Sequence, residues 1–146
     1  MGYLFNIDLL ISIKTEIMKK IILTLVFSIL VSTIYSQAAK DDFCKTFTKN
    51  AQQGKGFSKS HFKYSSNTFI QVMDINEMAG DKDIQYELIV KEASDKEFIN
   101  IMVKQIIKGY KSAGVADLLL ENGFTHFQIY LLKKDGSKFI SEVYKL

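Results

Sequence analysis

The stretch Ser94–Tyr110, SDKEFINIMVKQIIKGY, constrains this chain more than any other. Ile99, Met102, Val103, Ile106 and Tyr110 recur at helical spacing, and Phe98, Ile101 and Ile107 widen the stripe. So broad an apolar face predicts a helix covered by a sheet, because a helix at the surface keeps a polar side. Ser94-Asp95-Lys96-Glu97 reads as the capping box that starts it, the serine accepting from the amide three residues on while the glutamate reaches back.

Strands to cover that helix are read on both sides of it. Thr68–Ile75, TFIQVMDI, is rich in β-formers, although its continuation into NEMAG also suits a helix. In DIQYELIVKE, Ile84, Tyr86, Leu88 and Val90 alternate with polar residues, as in a strand half-buried on one face. After a short helix from Val115 to Asn122, stopped by Gly123, comes THFQIYLLKKDGSKFISEVYKL. Asp135-Gly136 between two β-rich runs predicts a two-residue type I′ hairpin, pairing Leu132 with Phe139, Leu131 with Ile140 and Phe127 with Tyr144. One face of that hairpin carries Phe127, Ile129, Leu131, Ile140 and Tyr144 for the core. The other carries His126, Gln128, Tyr130, Leu132, Phe139, Ser141 and Val143, a mixed surface. Glu142 then falls opposite Ile129 on the apolar side, where a carboxylate is costly unless paired.

Upstream, Asp41 or Asp42 is placed to cap a helix running to about Gln53, with Phe43, Phe47 and Ala51 on one side, Cys44 beside them and Gly54 at its end. The segment GKGFSKSHFKYSSN reads as a loop. The expected fold is therefore α+β: an antiparallel sheet of about four strands with helices on one face, in the order α-β-β-α-α-β-β.

The start of the chain is read as an address. Lys19 and Lys20, the apolar run from Ile21 to about Val31 and the small-x-small triplet Ser36-Gln37-Ala38 are the three parts of a secretory signal peptide over residues 18–37. The run of about 11 residues is well short of the roughly 20 that span a bilayer. Residues 1–17, with Asp8 and Glu16 ahead of this leader, read as an upstream extension before a true start at Met18, which leaves residues 38–146 as one exported domain.

Composition narrows the chemistry. The 19 basic residues are all lysine, so the planar fork that reads carboxylates, phosphates and base edges in bidentate fashion is absent, and nucleic acid is not an expected partner. One cysteine, Cys44, excludes an internal disulfide, and two histidines, His61 and His126, without metal-ligand spacing predict neither a metal nor a cofactor. No paired carboxylates, phosphate loop or nucleophile motif is present.

The chemically richest segment is basic and aromatic. Lys40–Lys63 holds six lysines against Asp41 and Asp42, whereas the chain from Tyr64 onward has ten lysines and twelve acids. Lys55, Phe57, Lys59, His61, Phe62, Lys63 and Tyr64 interleave charge with aromatic faces and are the candidate binding residues, for an acidic protein or another envelope component. The functional expectation is a small exported, non-enzymatic binding module of inhibitor or immunity type, not inserted in the membrane once the leader is cut. The alternatives are a small envelope enzyme whose site leaves no motif, and a protein anchored by an uncleaved leader.

Overall fold

A computed structural model describes Leu23, residues 36–53 and residues 60–146. The chain divides between Ala38 and Ala39, and the fold below is that of the second unit, Ala39–Leu146. The leader and extension expected over residues 1–37 lie outside the described residues, apart from Leu23, Ser36 and Gln37. Residues 36–38 of the expected cleavage segment are helical and exposed.

The architecture is α+β, built on one mixed sheet. Helix α1 covers residues 36–53. There follow β1 (His61–Ser65), β2 (Thr68–Asp74), α2 (Ile75–Met78), α3 (Asp83–Ala93), α4 (Lys96–Ser112), α5 (Val115–Glu121), β3 (His126–Leu132), β4 (Lys138–Ile140) and β5 (Tyr144–Lys145). The sheet order is β1-β2-β3-β4, with β5 continuing the β4 edge along β3. The other contacts are antiparallel, but β2 and β3 run parallel, Phe69 opposite Phe127 and Gln71 opposite Ile129. This corrects the purely antiparallel expectation. Four helices separate β2 from β3, and a crossover of that length brings the chain back in the same direction.

Two segments differ from their sequence reading, and they explain the change of order. DIQYELIVKE is helix α3. It contains both periods, but Tyr86, Ile89, Val90 and Ala93, at helical spacing, face the core, while Ile84 (80% exposed) and Leu88 (55%) face solvent. Apart from Ile84, Ile89 and Val90 it has no β-branched residue and is rich in good helix formers, so propensity favours the helix too. HFKYS, expected as loop, is strand β1. It turns into β2 through Ser66-Asn67, with Ser66 at φ 56°.

The core lies between the helices and one sheet face. Phe62 stacks on Phe69 (centroids 5.2 Å apart, 14° between planes), and Phe47 of α1 meets both rings edge-on at 4.8 and 5.4 Å. Phe43 reaches Phe124, and Tyr110 of α4 packs edge-on against Phe127. In α4 the buried line is Ile99, Val103 and Ile107, flanked by Met102, Ile106 and Tyr110, while Ile101 is exposed. Its N-cap is Asp95, whose carboxylate accepts from Glu97 N–H (2.9 Å). Ser94 instead ends α3, so the cap sits one residue later than expected and is a single Asp95 carboxylate bond, not the expected Ser94–Glu97 box. The expected cap of α1 at Asp41 or Asp42 is likewise absent, since the helix already runs from residue 36. Gly123, at φ 81°, ends α5, and a Cβ there would come within 3.3 Å of Lys40 Cε.

The final hairpin departs by one residue from its expected register. Lys133 N–H donates to Ser137 O, which leaves a three-residue turn, Lys134 to Gly136, with Gly136 in the left-handed region (φ 82°). Leu131 therefore pairs with Phe139 and Tyr130 with Ile140. One extra residue at Glu142–Val143, a bulge, then restores Phe127 opposite Tyr144. Between turn and bulge the faces are exchanged relative to expectation: Phe139 packs on the core, Ser141 is buried and Ile140 is 45% exposed. Glu142 leaves the apolar side and is exposed, its N–H donating to Asn100 Oδ1 (3.2 Å).

Candidate binding surface

The second face of the sheet gathers the charged and aromatic residues that the core excludes. Along β1 the pleat sends Phe62 and Tyr64 inward and His61, Lys63 and Ser65 outward. Register then lines up His61, Val72, Tyr130 and Ile140 in one row, and Lys63, Ile70 and Gln128 in the next. The helical residues of the buried cluster, from α1 to α5, pack with Phe62, Phe69, Met73, Phe127, Ile129 and Leu131, on the face opposite these rows.

Tyr130 is the centre of this face. Lys63 Nζ lies 4.7 Å from the centroid of its ring and Lys138 Nζ 4.8 Å, so a half-buried phenol is flanked by ammonium groups from β1 and β4. Each contact contributes on the order of 0.5–1 kcal/mol at an exposed site. The lysine stems also cover apolar surface, consistent with Ile70 and Val72 being only 2% and 5% exposed. Among the described residues the ion pair is Lys134–Asp83 (2.8 Å), at the hairpin turn, so neither Lys63 nor Lys138 is bridged to a carboxylate. His61 is held below the ordinary histidine range, first by partial desolvation and then by the Lys63 ammonium.

Around the free edge of β1 the same surface continues into a groove of about 710 Å³ between β1 and α1. Lys45 and Lys49 of α1 add charge to it, opposed by Asp41. The groove floor is an edge strand covered by helix side chains: Thr48 Oγ1 accepts from Phe62 N–H (2.9 Å), and Gln52 Nε2 donates to Ser60 O (3.1 Å). These bonds occupy part of an edge otherwise open to pairing with another chain.

Of the seven residues expected to bind, His61, Phe62, Lys63 and Tyr64 line this groove. Lys55, Phe57 and Lys59 lie outside the described residues. The four do not act as one loop surface. Phe62 is 7% exposed within the phenylalanine cluster and Tyr64 packs on the core, while His61 and Lys63 are exposed. Tyr130 and Lys138 complete the surface. Tyr130 was legible as part of a mixed hairpin face; Lys138 carried no local signal.

Cys44 also lines the groove, but burial, then Asp41, pushes its thiol up to about 11, which keeps it protonated at neutral pH and unlike an activated nucleophile. His126 stands at the far end of the open face, its Nδ1 2.8 Å from Thr125 Oγ1. Among the described residues no group of three His, Cys, Asp or Glu side chains could hold a metal ion, and no helix is long and apolar enough to cross a membrane. Comparison with protein-family models, curated proteins and solved structures finds no match.

Proposed function

We propose that this chain is an exported, non-catalytic binding module that holds an acidic partner of the cell envelope against its open sheet face. The observation that carries the reading is Tyr130 between Lys63 and Lys138. It is an aromatic contact surface flanked by two positive charges that no carboxylate among the described residues bridges, on a face that the helices of the buried cluster leave free. Aromatic side chains supply contact area at low entropic cost, and flanking lysines raise the rate and selectivity with which an acidic surface docks. Lys45 and Lys49 extend the positive field round the β1 edge. Export is supported by the leader read over residues 18–37.

Affinity capture from envelope extract tests this reading when the wild-type protein is compared with Lys63→Glu/Lys138→Glu and with Tyr130→Ala. The expected result is a protein retained by wild type, lost with the charge reversal and weakened with Tyr130→Ala. Retention unchanged by all three substitutions, in variants that melt like wild type, would contradict it.

A further inference from the structure

On the core side, α1 and α4 do not close completely over the sheet. Between Phe47 and Ala51 of one helix and Ile106, Gly109 and Tyr110 of the other lies a cavity of about 380 Å³, floored by Gln71. That volume is within the range of small-molecule sites, about 300–1,000 Å³. At about 30 Å³ for each water-sized group it accommodates about a dozen.

Among the described residues the lining is apolar and aromatic except for one pair. Gln71 is 5% exposed, on the same face of β2 as Phe69 and Met73, and its Oε1 accepts from the Tyr110 hydroxyl (3.0 Å). That bond leaves the two N–H donors of Nε2 without a partner among the described residues. Among the described residues the fully enclosed side-chain atom without a partner is Ser60 Oγ, which does not line this cavity; the Gln71 amide nitrogen is not fully enclosed and keeps contact with accessible space. A carboxamide in the middle of a buried strand costs stability unless its donors are used.

We propose that this cavity binds a neutral small molecule with an aliphatic body of about a dozen heavy atoms and one carbonyl oxygen, which accepts from Gln71 Nε2. The body lies against Phe47, Ile106 and Tyr110. Among the described residues no lysine lines the cavity, so there an ionised carboxylate would meet no counter-charge, and a neutral head group is the one this lining suits. This site is independent of the open sheet face and does not rest on the function proposed for it.

Methyl nonyl ketone is the probe, with undecane as the headless control, each added to the isotope-labelled protein. The ketone is expected to shift the backbone amides of Ile106, Gly109 and Tyr110 and the side-chain amide of Gln71 in a saturable way. Gly109→Leu is expected to weaken binding at least tenfold without lowering the melting temperature. A Cβ at Gly109 meets no heavy atom within 4 Å, and leucine is the better helix former. Gln71→Leu is expected to abolish the preference for ketone over undecane. Absence of saturable shifts in wild type, shifts centred on the exposed Ile84 and Leu88, or undiminished binding to Gly109→Leu would overturn the proposal.

Discussion

The N–H of Ile129 donates to the side-chain oxygen of Ser141 (3.0 Å), while Ser141 N–H returns a bond to Ile129 O (3.0 Å). The serine side chain thus takes the place of a backbone acceptor where the β4 edge breaks, and its hydroxyl donates to Glu142 O (2.7 Å). This exchange lets the bulge at Glu142–Val143 insert one residue without orphaning the central strand.

Ser141→Ala is therefore expected to destabilise the protein by about 1–3 kcal/mol, the cost of a buried donor left without a partner. Chemical denaturation checks it. A change below about 0.5 kcal/mol, the range of ordinary surface substitutions, would mean that the ladder closes without the serine.

The hairpin shows what was legible in the sequence and what was not. Period-two alternation located both strands and the inward set Phe127, Ile129 and Leu131. Asp135-Gly136 located the turn but not its length, and a difference of one residue moved Phe139 inward and Ile140 outward. For α3 the two periodicities overlapped, and the choice between them depended on tertiary burial of Tyr86 and Ala93. β1 was hidden because His61, Lys63 and Ser65 alternate with only two aromatics amid serines and glycines. Losing β1 hid the open face as well. Lys63 meets Tyr130 only because β2 pairs with β3 across four helices, a contact that no local pattern encodes.

The helical assignment of α3 has a direct test. Ile84→Glu with Leu88→Gln is expected to change stability by no more than about 0.5 kcal/mol, since both side chains face solvent. In a half-buried strand both would be core residues and the pair would unfold the protein. Thermal melts separate the outcomes.

The seating of α4 is tested by contrast. Ile107→Ala is expected to cost about 2–5 kcal/mol, whereas Ile101→Ala, on the exposed side, is expected to cost less than about 0.5 kcal/mol. Equal costs would show the helix rotated from the orientation described.

Cys44 links stability to alkaline pH. Its thiol ionises at about 11 in the fold against 9.0 for the free side chain, so between these values the unfolded chain has already released the proton that the folded chain retains. Stability from this group is complete below about pH 9 and falls as pH rises toward 11. Denaturation midpoints of wild type and Cys44→Ala measured across that window are expected to converge as pH rises. A constant difference would contradict the shift.

The central claim is that Lys63, Tyr130 and Lys138 form a contact surface for an acidic partner. The most direct measurement is chemical-shift mapping of the isotope-labelled protein titrated with a short polyglutamate peptide at low salt. Shifts are expected at His61, Lys63, Tyr130 and Lys138, reduced in Lys63→Glu/Lys138→Glu and fading as added salt shortens the screening length below about 10 Å. Shifts centred on another face, or the same shifts in the charge-reversed protein, would contradict it.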